Sequence, residues 1–146
     1  MNTINKPYLL LGIDPDVSKS GVACWNQADK KFEYITTMDF FDLLDLLKKH
    51  SFKEVVIEAS WLISRVVYGK FDKQAQYKQM AISKAVGANR QIGKLLELFC
   101  KKYNISYRLV KPTSSKVDAE TFKNLTKWEG RTNSEERDSA LLIFGL

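Results

Sequence analysis

Tyr8-Leu9-Leu10-Leu11-Gly12-Ile13-Asp14 is an apolar run of strand length that closes on an acid, and Pro15-Asp16-Val17-Ser18-Lys19-Ser20-Gly21 behind it is dense in turn formers. The same design recurs at Val55-Val56-Ile57-Glu58, a short β-branched run that also closes on an acid. A third acidic site opens an element instead of closing one: Glu135-Glu136-Arg137-Asp138-Ser139-Ala140-Leu141-Leu142-Ile143 has helical character. Carboxylates are thus delivered by three distant segments, each at the end of something apolar.

Outward from the first run, Gly21 to Trp25 reads as a second strand. A turn near Gln27 to Lys30 leads to Phe32-Glu33-Tyr34-Ile35-Thr36-Thr37-Met38, where alternate residues share a face. These three form an antiparallel meander. Phe40, Phe41, Leu43, Leu44, Leu46 and Leu47 crowd one side of a short helix ending near His50. Leu62 to Gln74 has no sustained period and reads as a mobile loop. From Ala75 a helical stripe runs through Ala81, Ala85, Ala88, Ile92, Leu95 or Leu96, Phe99 and Tyr103. Gly87 and Gly93 each cost this helix about 1 kcal/mol relative to Ala, which close approach of another backbone would offset. Ile105 to Val110 reads as a strand and Lys116 to Lys127 as a helix stopped by Gly130. Asn133 is a good N-cap for the last helix, with Glu136 at capping-box distance. The order β-β-β-α-β-α-β-α-α predicts an α/β protein, a mixed sheet with helices on its faces.

The composition, 45% hydrophobic and 27% charged over 146 residues, is that of one folded domain spanning 1–146 and excludes a disordered chain. Pro7 to Ile13 is too short to cross a bilayer or act as a signal core, so the expected location is the cytoplasm, with no membrane partner. Cys24 and Cys100 lie far apart, and with the single His50 they give no zinc pattern. Charge is segregated. Residues 1–63 hold 7 Lys/Arg against 9 Asp/Glu, residues 64–131 hold 15 against 5, and residues 132–146 hold 1 against 3. So positive a middle suits a polyanion that releases its counterions, although a Lys-rich solvated surface has the same arithmetic.

The residue after a buried strand emerges at a sheet edge, so Asp14 and Glu58 share one end of the sheet if their strands are neighbours. Glu135 and Asp138, three apart, face the same way at the start of the last helix, with Leu141 and Leu142 continuing toward the core. Clustered carboxylates raise one another's pKa unless a divalent cation compensates, and oxygen-only ligands suit Mg²⁺ or Mn²⁺; two such ions serve phosphodiester cleavage. Each acid has a duller account: Asp14 as a turn residue before Pro15, Glu135 and Asp138 as partners of a helix dipole. Glu58 is harder to dismiss, because an acid after three apolar residues is costly unless solvated or liganded.

Leu11-Gly12-Ile13-Asp14-Pro15, Val56-Ile57-Glu58 with Trp61 three residues on, Gly87 in the long helix, Val110-Lys111 followed by Lys116, and Glu135-x-x-Asp138-Ser139-Ala140 together resemble the RuvC-type Holliday junction resolvases of the RNase H-like superfamily. The resemblance runs from about Leu10 to Phe144. It implies an RNase H-like five-stranded mixed sheet, a three-stranded antiparallel meander plus parallel strands, flanked by helices. It also implies a homodimer, nucleoid-associated or virus-encoded, that resolves four-way or branched DNA junctions by Mg²⁺-dependent symmetric cleavage, probed by cutting of labelled junctions; the sequence is silent on any helicase partner. Asp14, Glu58, Glu135 and Asp138 then correspond to the catalytic, metal-binding acids, and Lys111 and Lys116 to basic residues near the scissile phosphate. Trp61 would stack on or wedge between bases, against the competing account of a buried core residue. Arg65, Lys70, Lys73, Lys78, Lys84 and Arg90 would track phosphates, and Tyr68 and Phe71 would meet bases. The family's first motif commonly reads GIDPG, and here Asp16 stands at its second glycine; Glu135 replaces the more usual aspartate. Set against this reading are a catalytically weak, structure-selective DNA-binding protein and another RNase H-like nuclease, of the YqgF type or hybrid-specific.

Overall fold

The sheet is assembled from both kinds of strand pairing. In this computed structural model, which describes residues 4–63, 73–113 and 115–146 (side chains of 4–7, 73–75 and 79 excepted), five strands lie in the order β3-β2-β1-β4-β5. Strands β1 (Ile4–Asp14), β2 (Ser20–Asn26) and β3 (Lys31–Met38) form the antiparallel meander, while β4 (His50–Glu58) runs parallel to β1, and β5 (Tyr107–Val110) parallel to β4. Helices α1 (Phe40–Lys49) and α2 (Lys73–Lys102) follow β3 and precede β5; α3 (Ala119–Thr126) and α4 (Ser134–Leu141) end the chain.

Alternation along the strands builds a core on each face. Leu9, Leu11 and Ile13 of β1, with Val55 and Ile57 of β4, pack against Leu43 and Leu47 of α1 and Leu96 and Cys100 of α2. Leu10 of β1 and Val56 of β4 turn the other way, toward Phe122 of α3 and toward Ala140 and Ile143 around α4. Both faces being covered explains why the first run reads as continuous apolar sequence.

Several boundaries differ from the sequence expectation, each for a local reason. Strand β4 starts at His50, not Val55, because β1 itself begins at Ile4 and pairs with it there (Ile4 opposite His50). Strand β5 loses Ile105, whose N–H caps α2 by donating to Cys100 O at 2.9 Å while Asn104 takes φ 54°, a Schellman-type ending. Helix α3 starts after Asp118, whose carboxylate accepts from Thr121 N–H at 2.7 Å, so Lys116 lies outside the helix. It ends at Lys127, at φ 62°, and not at Gly130. Helix α4 has the predicted cap in full: Asn133 accepts from Glu136 N–H and Glu136 from Asn133 N–H. Its core-facing residues are Ser139, Ala140 and Ile143, whereas Leu141 and Leu142 are only half-buried. The expected loop at Leu62 to Gln74 holds the end of a 3₁₀ turn at Ser60–Leu62 and the first residues of α2; residues 64–72, with Arg65, Tyr68, Lys70 and Phe71, lie outside the described residues.

Candidate metal centre

Strand parity decides where the acids point. Asp14 has the parity of Leu10 and Gly12, and Glu58 that of Val56, so both carboxylates leave the sheet on the α4 face. The parallel register sets Ile13 opposite Ile57, which puts the two acids side by side at the carboxyl ends of adjacent strands. Helix α4 then settles directly on the sheet. A Cβ at Gly12 would collide with the backbone carbonyl of Ser139, and one at Gly21, paired with Asp14 across the hairpin, with that of Glu135. Only glycine permits so close an approach. Asp138 is thereby carried to the other two: one carboxylate oxygen each from Asp14, Glu58 and Asp138 lie within 4.8 Å of one another. Glu135 stands outside this trio but close enough to act on Asp14 electrostatically. Glu136 is spent on the helix cap.

The cluster is short of positive charge. Burial first, then Glu58 and Asp138, push the Asp14 carboxyl up to about 8, with Lys116 pulling the other way. Glu58 is raised too, by burial and then by Asp138. Lys116 donates to Asp138 Oδ2 at 2.5 Å, and this hydrogen bond and the surrounding acids raise its pKa and keep it charged. Its side chain is 68% exposed against 15% for Asp138, so a single ammonium caps the trio from the solvent side. Three oxygen donors with a deficit of cationic charge fit a hard divalent ion, and no nitrogen or sulfur donor joins them among the described residues. From Glu58 and Asp138 an open cleft of about 190 Å³ runs past Lys111 and Lys116, walled by Val110 and Leu142.

No family model matches the chain, and no curated protein matches it. Solved structures do. T. thermophilus RuvC in complex with a Holliday junction substrate superposes with a TM-score of 0.56 at 12% identity, over 92% of this chain and 88% of that one. A second Thermus thermophilus RuvC structure gives 0.52 at 9% identity, over 92% and 90%. The chain has the RuvC fold, an RNase H-like sheet flanked by helices.

Within that RuvC fold the remaining expected site residues fall into three groups. Lys111 is exposed and lines the cleft, and Lys116 sits on the trio. Lys78 and Lys84 are exposed on the first half of α2, where every described side chain from 76 to 87 is exposed; the side chain of Lys73 lies outside the described residues, as do Arg65 and Lys70. Trp61 and Arg90 are turned inward. The indole is half-buried over Gly93, and Arg90 donates to Ile63 O at 3.1 Å. Gly93 therefore faces a side chain, not the second backbone expected from the sequence, and Gly87 has open space beside it.

Two residues that the sequence does not single out matter to the site. Arg137 donates to Val117 O and Thr132 O, both at 2.8 Å, fixing the segment that presents Lys116. Asn89 meets Asp16 across 73 positions, beside Asp14. Pairs so far apart leave no local signature. Gly12 and Gly21 do have one, since a glycine inside a strand marks a close backbone approach.

Proposed function

We propose that the chain is a divalent-metal-dependent endodeoxyribonuclease selective for branched DNA, resolving four-way junctions by paired cuts as a homodimer. The observation behind this reading is the carboxylate trio Asp14, Glu58 and Asp138 at the carboxyl ends of adjacent parallel strands, with an ammonium already drawn to it. The fold shared with RuvC, one of whose structures holds a Holliday junction, supplies the substrate class.

Asp14, Glu58 and Asp138 would hold Mg²⁺, with Mn²⁺ as a substitute, and Glu135 would assist a second ion. Bound there, such ions supply Lewis acidity at neutral pH and neutralise charge on a phosphodiester. The chain's own residues do the rest. The Asp14 carboxyl, which burial and its neighbours hold protonated up to about pH 8, would release that proton to solvent where an ion is held. Lys116, on the solvent side of the trio, turns from Asp138 to the phosphate and offsets charge that develops there. Lys111, Lys78 and Lys84 hold the DNA backbone without reading sequence. The exposed first half of α2, with Tyr77, Met80 and Ile82 on its surface, is the element a second copy would cover, and a twofold axis would then set one site on each of two related strands. The products would carry 5′-phosphate and 3′-hydroxyl ends.

The test is digestion of labelled four-way junctions, flaps, duplexes and RNA/DNA hybrids with and without Mg²⁺. Junctions should be nicked symmetrically and only with the metal. Asp14→Asn and Glu58→Gln should each reduce cutting by about a thousandfold or more while leaving junction binding intact. Retained cutting by either variant refutes the assignment, and binding without any metal-dependent nicking by the unaltered protein marks it as a DNA-binding module.

A further inference from the structure

The turn that follows Asp14 is fastened from within and from outside. Within it, Asp16 Oδ1 accepts from Ser18 N–H at 2.8 Å, and Asp16 N–H donates to Ser20 Oγ at 3.0 Å. From α2, Asn89 Oδ1 accepts from Val17 N–H at 2.8 Å and its Nδ2 donates to Asp16 Oδ2 at 3.4 Å. One turn further along the same helix, Gly93 makes room for Pro15 and for the Trp61 indole. Both oxygens of Asp16 are engaged in this way, so the acid nearest in sequence to Asp14 is a strut and not a ligand. Asp16 is not among the residues with positive φ. An ordinary backbone with a bonding side chain thus stands where the resemblance leads one to expect glycine.

The position needs such a strut. Asp14 ends its strand with a carboxylate oxygen within 4.8 Å of those of Glu58 and Asp138, while Val17, Ser18 and Lys19 behind it are exposed. Once the three carboxyls are ionised, as ligands of a cation must be, their repulsion would push this turn outward, and the contacts from Asn89 oppose that movement. We propose that Asn89 is a positioning residue: through Val17 and Asp16 it ties the turn to α2 and holds Asp14 at the separation from Glu58 and Asp138 that a divalent cation requires. This rests on the metal-dependent reading above.

The experiment measures Mn²⁺ binding to the DNA-free protein by electron paramagnetic resonance, alongside exchange of the Val17 amide and the melting temperature. Variants are Asn89→Ala, Asp16→Ala and the double substitution. Asn89→Ala should speed Val17 exchange and weaken Mn²⁺ binding about fivefold, chiefly through loss of the 2.8 Å bond from Val17 N–H, with little change in melting temperature. The double variant should bind Mn²⁺ less weakly than the product of the two single effects, because the two substitutions share the Asn89–Asp16 contact. If the unaltered protein binds Mn²⁺ and Asn89→Ala binds it equally well, or leaves Val17 exchange unchanged, the inference is overturned and the nuclease reading stands. If the unaltered protein binds no Mn²⁺, the metal-dependent reading falls and takes the inference with it.

Discussion

Helices α4 and α2 meet the sheet in opposite ways. The first lies with its backbone on Gly12 and Gly21, and the space is so full that no Cβ fits at either position. Among the described residues, the second is buried along its later half, at Leu96 and Cys100, and projects residues 76–87 with every described side chain exposed. Closeness is needed where a carboxylate must be placed to within a fraction of an ångström. Openness is needed where a large, variable surface is to be gripped. On the proposed reading, the element that would carry a metal ligand is seated by glycine on its neighbour, and the one that would meet DNA or a second copy keeps its neighbours away.

Substitutions on the crowded side should cost most. Gly21→Ala sets a methyl group against the Glu135 carbonyl, and chemical denaturation should show a loss of about 3 kcal/mol or more, with Mn²⁺ binding lost as α4 lifts. Lys116→Ala leaves that seat intact and removes the cation beside Asp138; single-turnover cleavage should slow about a hundredfold, with Lys116→Arg recovering part of it.

A further effect comes from pH. Asp14 titrates near 3.8 when unfolded and near 8 in the metal-free fold, so between those values the folded protein holds a proton that the unfolded chain has lost. Its contribution to stability is complete below 3.8 and is lost as pH rises through about 8, and the raised Glu58 acts in the same direction. Melting of the chelator-treated protein should therefore fall across that window, and added Mg²⁺ should flatten the slope by replacing the proton.

The open side gives the smallest change and the opposite sign. A methyl group placed on Gly87 would meet nothing within 4 Å, so Gly87→Ala should stabilise the dilute monomer by about 0.5–1 kcal/mol through helix propensity alone. If sedimentation instead shows the variant associating less tightly, a second copy fills that space.

The strand-end acids and the Asn133–Glu136 cap are legible in the sequence because each is local: an apolar run closing on a carboxylate, or two side chains three positions apart. Bringing the acids together takes the family resemblance, since nothing in the spacing of Asp14 and Glu58 requires adjacent strands. A helical glycine stands out by its cost, so the pattern points to Gly87 and Gly93 for close backbone approach, while Gly12 and Gly21, which have it, carry only the weaker signal of a glycine inside a strand. Arg90 reads as a phosphate contact from its charge, yet its guanidinium is turned to Ile63; burial, not residue type, separates strut from ligand. Asn89 and Arg137 act on backbone groups 72 and 20 positions away, and such pairs appear only once the chain is folded.

The shared parity of Asp14 and Glu58 also limits how this molecule can change in length. Residues can enter or leave at the hairpin tip around Ala28 and Asp29, beyond the paired part of β2 and β3, without touching the trio. One residue gained or lost between Leu11 and Asp14 would turn that carboxylate into the Leu43 and Leu96 layer on the far side of the sheet. The spacing from the last apolar side chain to the acid is therefore the fixed measure of this chain, and the hairpin tip at Ala28 and Asp29 is where descendants are free to differ.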